Sequence, residues 1–283
     1  MKTLISATDL LAAMAAAAPP VLLECSFELS APEAGALAWQ KAHLPGAQYM
    51  HLDRDLAGAT QDASGRFRGR HPLPERDAFA RRMGELGITP TTPVVCYDTQ
   101  GGPYAARAWW TLRWMGHADA AVLDGGVAAW REAGGPMSTE AAPPRVAPPY
   151  PTLPPAMPTI EAEALLERLG RFPLIDARGG ERFRGEVEPL DKAAGHIPGA
   201  RNRFFKDNLA SDGRFKSAAQ LHAEWAQLLA GNDAGQVVQQ CGSGVTACHN
   251  LLALAHTGLG DSVLYPGSWS EWSADAALPR ALG

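Results

Sequence analysis

Cysteine is scarce in this chain of 283 residues: Cys25, Cys96, Cys241 and Cys248 are the only four, and no two form a C-x2-C pair. So few thiols cannot staple a disulfide scaffold, and their spacing offers no zinc-type ligand set. A block of positive charge is also lacking. The 25 lysines and arginines are scattered among 30 acidic residues for a formal net charge of −5, so nothing favours nucleic acid or an anionic membrane surface. No apolar run reaches the length of a bilayer span. The opening "MKTLISATDLLAAMAAAAPPVLLE" has Lys2 and an alanine run, but Asp9 interrupts the would-be core of an export leader and no clear cleavage site precedes "VLLE". These absences lead us to expect a globular, cytoplasmic protein of a reducing compartment, with no metal, nucleic acid or membrane as partner.

What is present is a duplication. With 46% hydrophobic residues, the chain can fill two cores of about 140 residues each. "KAHLPGAQYMHLDRDLA" from Lys41 and "AAGHIPGARNRFFKDNLA" from Ala193 share a His-apolar-Pro-Gly-Ala centre. Upstream, "TDLLAAMAAAAPPVLLECS" matches "IEAEALLERLGRFPLIDAR". Downstream, "TTPVVCYDTQGG" matches "AGQVVQQCGSGV", and "AVLDGGVAAW" matches "SVLYPGSWSEW". Between the halves, nine of the 23 prolines fall from Pro136 to Pro158, a composition that stays extended as a semi-rigid surface strap. The expected division is residues 1–136, a linker over 137–158, and 159–283.

Short apolar runs ("PLID", "QVVQQ", "SVLY") alternate with helical stretches such as "SAAQLHAEWAQLLAG", which opens on a Ser217-x-x-Gln220 capping box and stops at Gly231. Alternation of this kind predicts an α/β fold in which each half is a mainly parallel sheet flanked by helices. The loop in "QVVQQCGSGVTACHN" then lies at the carboxyl end of a strand, where open α/β sheets place their sites.

Four readings compete for that loop. "GSGVTA" fits a dinucleotide-binding G-x-G-x-x-A, but it sits near the C-terminus, and Asp261 precedes the next strand instead of ending it. A cysteine phosphatase needs an arginine six positions after its nucleophile, and that position is Ala247. A sulfur carrier needs what the loop does contain: Cys241 before Gly242, Ser243, Gly244, Val245 and Thr246, whose N–H groups and following helix would stabilise negative charge on a thiolate or a persulfide. A buried structural cysteine is the fourth reading.

At these residues the chain resembles the rhodanese superfamily, specifically its tandem-domain sulfurtransferases, over nearly its whole length. "AHLPGA", "GHIPGA", "LDGGVAAW" and "YPGSWSEW" carry the resemblance, and "CGSGVTA" is similar to the loop of the 3-mercaptopyruvate enzymes. The thiosulfate enzymes usually have two basic residues where Gly242 and Ser243 stand. A loop without charge argues for a donor whose anionic end is held elsewhere.

The resemblance implies Cys241 as nucleophile and a proton relay of Ser243, His71 in "RGRHPLP" and Asp53 in "MHLDRD", the last two from the first half. It also implies Arg182 in "ERFRGEVEP" as a clamp for the donor's carboxylate. The family's second arginine is Leu190 here, with Arg184 and Arg203 as candidate substitutes, and Pro266 stands where the family commonly has aspartate. Asp98 occupies the position of Cys241 in the first half, and a carboxylate cannot accept a sulfane sulfur, so one active site per chain is expected. His43 and His196 recur in both halves and read as structural turn residues. Cys96 and Cys248 read as packing residues.

The implied activity is transfer of sulfur from 3-mercaptopyruvate through a Cys241 persulfide to a thiol, cyanide or a thioredoxin-like protein, with no cofactor. Thiosulfate as donor, and a persulfide relay protein without turnover, stand as alternatives.

Overall fold

A computed structural model describes residues 3–283; Lys2, part of the leader-like opening, lies outside the described residues. The chain forms two compact units. Unit 1 runs to Gly58 and takes in Pro74–Ala156 and Leu209–Phe215. Unit 2 holds Ala59–Leu73, Met157–Asn208 and Lys216–Gly283.

Unit 1 contains strands β1 (Leu4–Ile5), β2 (Val21–Glu24), β3 (Gln48–Tyr49), β4 (Val94–Tyr97) and β5 (Ala120–Leu123). Its helices are α1 (Ala7–Met14), α2 (Ala34–Lys41), α3 (Leu52–Asp55), α4 (Arg76–Glu85), α5 (Pro103–Trp114) and α6 (Gly126–Glu132). All pairings in the sheet are parallel, in the order β1-β5-β4-β2-β3. The central strands "VLLE" and "VVCY" are buried at every position, as a sheet covered on both faces requires. Helix α1 starts where Ser6 accepts a hydrogen bond from the Asp9 N–H at 3.1 Å, the ordinary N-cap of a helix opened by serine.

Unit 2 contains β6 (Leu174–Asp176), β7 (Ala200–Asn202), β8 (Val238–Gln240) and β9 (Val263–Leu264), with α7 (Ala162–Leu166), α8 (Gly180–Arg184), α9 (Ala218–Leu229), α10 (Ala247–His256) and α11 (Ser268–Trp272). Its order, β7-β6-β8-β9, is again parallel, and a bridge from Thr159 to Leu264 takes the place that β1 has beside β5. The repeat read from the sequence is therefore a repeat of topology. Tyr265, Trp269 and Trp272 pack with Ile160, Leu174, Ile197 and Val238, each large side chain contributing about 1.5–3 kcal/mol on burial.

Several local expectations hold. Ser217 and Gln220 form both bonds of the capping box, and α9 ends as Ala230 and Gly231 enter the left-handed region at φ 49° and 83°. His43 and His196 bind backbone: His43 Nδ1 lies 2.6 Å from the Trp39 carbonyl oxygen, and His196 Nδ1 lies 2.8 Å from that of Phe183. The proline strap has no helix or strand over 139–158. It is tied down where Ala147 donates to the Gly84 carbonyl (2.8 Å) and Tyr150 to that of Ala80 (2.9 Å), both on α4.

One arrangement is not expected from chain order. Hairpins closed by Gly65-Arg66-Phe67 and Gly213-Arg214-Phe215 are the same element of the repeat, bridged at Gln61–Phe67 and Leu209–Phe215. The first belongs to unit 2 although it precedes most of unit 1, and the second belongs to unit 1.

Candidate active site

Strand β8 ends at Gln240, and the loop from Cys241 to Thr246 connects it to α10. The helix begins at Ala247, with Thr246 at its N-cap. Cys241 is 1% exposed, and the Ser243 N–H points at its sulfur at 3.4 Å. Gly244 has φ 73°, and a Cβ there would lie 2.4 Å from the Pro266 carbonyl oxygen, so only glycine fits. Pro266, the departure from the family pattern, thus meets the loop through its backbone.

Helix α11 holds the loop from behind. The Cys241 N–H donates to Ser268 Oγ (3.1 Å), while the Trp269 and Ser270 N–H groups donate to the Cys241 and Gly242 carbonyls at 3.0 and 2.8 Å. Ser270 Oγ also accepts from the Arg70 N–H at 3.1 Å. Gly69, at φ 99°, makes that approach possible, since a Cβ there would sit 2.8 Å from the Gly267 carbonyl oxygen. One short helix therefore positions both the cysteine loop and the segment carrying His71.

His71 is part of unit 2 itself, although it comes from the first half of the sequence. It is buried, and its Nδ1 lies 2.8 Å from Ser243 Oγ. With the ring proton on Nε2, Nδ1 accepts from the serine hydroxyl, and Ser243 in turn follows Cys241 by two residues. Asp53 belongs to unit 1, in the exposed first turn of α3, where its N–H donates to His51 Nδ1 at 3.1 Å.

The arginines divide. Arg182, on α8, donates through Nη2 to Glu188 (2.7 Å) and Asp191 (2.9 Å), and a Cβ at Gly242 would lie 3.5 Å from its Nη1. Arg184 is held at the surface by Glu186 at 2.7 and 2.9 Å. Arg203 binds Glu224, the Asp207 carbonyl (3.1 Å) and Asn208 (3.2 Å). The arginine that joins Arg182 beside the loop is Arg70, whose Nη2 would lie 2.9 Å from a Cβ at Gly242. Arg70 precedes His71 in "RGRHPLP", a stretch in which the resemblance points only to the histidine.

Burial opposes ionisation of Glu188, yet Arg182 and the N–H groups of Leu190 and Asp191 outweigh it and keep its carboxyl below the ordinary range. For Asp191 burial wins and pushes the carboxyl up, despite Arg70 and Arg182.

In unit 1 the corresponding loop is filled from within. Asp98 follows β4, and its carboxylate accepts four backbone N–H groups: Gln100 (2.9 Å) and Gly102 (2.8 Å) on Oδ1, Tyr104 and Ala105 (both 3.0 Å) on Oδ2. Cys96 is wholly buried in β4, and Cys248 is buried in α10 with its thiol donating to the Gly244 carbonyl at 3.3 Å.

Residues 6–133 and 161–275 each match the family model described as the rhodanese-like domain. A Pseudomonas aeruginosa protein named "Probable 3-mercaptopyruvate sulfurtransferase" is 44% identical over 266 residues, 93% of this chain and 92% of that one. The thiosulfate sulfurtransferase of Cricetulus griseus is 36% identical over 244 residues, 83% of this chain and 78% of its own. Among solved structures, 3-mercaptopyruvate sulfurtransferase from Leishmania major superposes with a TM-score of 0.83 at 30% identity, covering 96% of this chain and 74% of that one. The chain belongs to the rhodanese family, as two tandem α/β domains. Its activity class follows from those relatives: it is a sulfurtransferase. Among the described residues no helix is long and apolar enough to cross a membrane.

Proposed function

We propose that the protein takes sulfur from 3-mercaptopyruvate onto Cys241 and passes it to a thiol or cyanide, a thioredoxin-like protein being one such thiol. The observation that carries this reading is the 2.8 Å contact between Ser243 and His71 two residues from the nucleophile. A donor whose carbon–sulfur bond breaks leaves an enolate that needs a proton, and this pair is built to move one.

The Cys241 thiolate attacks the donor sulfur, a sulfur–sulfur bond forms, and the carbon–sulfur bond gives its electron pair to the methylene carbon. Ser243 and His71 relay the donor's own S–H proton to that carbon, completing pyruvate, so the persulfide is left with the negative charge, held against the loop N–H groups. An acceptor thiolate or cyanide then attacks the outer sulfur and restores the Cys241 thiolate. The sulfur travels covalently, so no resident cofactor takes part. All four cysteines are free thiols, which supports a reducing, cytoplasmic setting.

The likeness to a thiosulfate sulfurtransferase favours thiosulfate as the alternative donor. Steady-state rates with cyanide as acceptor and each donor in turn test the choice, with Cys241→Ser as control. A higher kcat/KM for mercaptopyruvate is expected; a higher value for thiosulfate would overturn the donor assignment.

A further inference from the structure

Leu190, which follows the Glu188-Pro189 pair, brings no charge to the site: it is 45% exposed with its N–H on Glu188 at 3.1 Å. The next residue, Asp191, is turned inward instead. Its side chain is 3% exposed and bridges two arginines, Oδ1 to Arg70 Nη1 and Oδ2 to Arg182 Nη2. Each guanidinium thereby spends one terminal nitrogen on Asp191. The other terminal nitrogens, Arg70 Nη2 and Arg182 Nη1, lie over Gly242, next to the nucleophile.

We infer that Arg70 is the second arginine of the donor clamp, so that the carboxylate of a 2-oxo acid lies between Arg70 Nη2 and Arg182 Nη1 while Asp191 fixes the pair from the opposite side. This rests on the sulfur-transfer reading above and adds the residue that recognises the donor's anionic end. A carboxylate with one oxygen on each guanidinium is the arrangement Asp191 already makes, and a substrate would repeat it on the open face.

The pair is not a free double charge. Arg182 also binds Glu188 at 2.7 Å, and Glu188 reaches Arg178 at 3.4 Å. Two carboxylates thus stand against Arg70 and Arg182, which suits a donor bearing a single carboxylate better than a dianion. The segment that brings Arg70 here is anchored through its own backbone, by the Arg70 N–H on Ser270, so of the side chain only Nη1 is committed to Asp191 and Nη2 can serve the ligand.

The test uses two alkylating reagents of nearly equal size, anionic iodoacetate and neutral iodoacetamide, with reaction at Cys241 followed by mass spectrometry on the full-length protein. Arg70→Gln should lower the iodoacetate-to-iodoacetamide rate ratio about tenfold, the loss expected when a charge-assisted contact to an anion is removed. Arg70→Lys should retain most of the ratio, and Asp191→Asn should raise it. In steady state, Arg70→Gln should raise KM for mercaptopyruvate more than it lowers kcat. Loss of both alkylation rates together, with their ratio unchanged in Arg70→Gln and Asp191→Asn, would make Arg70 a structural residue and overturn the inference. The ratio needs no turnover. A protein that rejects mercaptopyruvate but still shows an Arg70-dependent ratio would keep the clamp and discard the donor.

Discussion

His71 Nδ1 and Ser243 Oγ lie 2.8 Å apart, although 172 residues of chain separate them. The contact links the segment before α4 to the loop after β8, and in the proposed reaction it would give Cys241 a proton carrier that neither segment holds alone. His71→Asn should therefore lower kcat with mercaptopyruvate by about a hundredfold, the usual scale for losing a positioned acid–base group. Thiosulfate releases sulfite, a stable anion that needs no proton, so its kcat should fall far less. Equal losses with both donors would show that His71 does not carry the proton.

Ser270 joins the two parts of the site, accepting from Arg70 and donating to the Gly267 carbonyl at 3.0 Å. Ser270→Ala should cost about 1 kcal/mol in denaturant unfolding and lower kcat/KM severalfold, because the Arg70–His71 segment loses its anchor. An unchanged kcat/KM at reduced stability would separate the anchor from catalysis.

Asp98 answers four N–H donors in unit 1 with an acceptor-only group. Asp98→Asn would turn an NH2 toward donors and leave them unpaired in the interior, at a cost of about 1–3 kcal/mol. The lowered unfolding midpoint should come with an unaltered kcat/KM at Cys241. A variant of full stability would mean the four bonds contribute nothing net.

Glu24, at the end of β2, is 4% exposed; burial pushes its carboxyl up from an ordinary 4.5 to about 7, against hydrogen bonding from Ser26. A carboxyl raised in this way binds its proton more tightly in the folded state. Its contribution to stability is full below 4.5 and is lost as the pH rises through about 7. Glu24→Gln, which keeps an acceptor for the Ser26 N–H, should match the wild type near pH 4.5 and exceed it above pH 7, by up to about 3 kcal/mol for a rise of that size. Parallel stability curves would remove Glu24 as the cause.

Much of the fold is legible because its signals are local. The alternation of apolar runs with helical stretches, the Ser217–Gln220 box and the duplicated His-Pro-Gly-Ala turns each act within a few residues, and each folds as read. The place of Cys241 in a glycine loop between a strand and a helix is legible too. The membership of 59–73 in unit 2 is not, since chain order assigns that hairpin to the first half. Arg70 is not legible for the same reason: its partner Asp191 is 121 residues away, and nothing in "RGRH" names it. The loop is neutral in sequence, as Gly242 and Ser243 suggest, but two guanidinium groups lie over it in space. The sequence shows at Asp98 only what a carboxylate cannot do, whereas its role in the fold comes from the four amides around it.

Everything proposed for the site depends on sulfur passing through Cys241. Full-length protein mixed with 3-mercaptopyruvate and no acceptor, then digested and analysed by mass spectrometry, should gain one sulfur atom on Cys241 and none on Cys25, Cys96 or Cys248. Addition of cyanide should remove it, and Cys241→Ser should never acquire it. Turnover without that added sulfur, or with it on another cysteine, would remove Cys241 as the sulfur carrier.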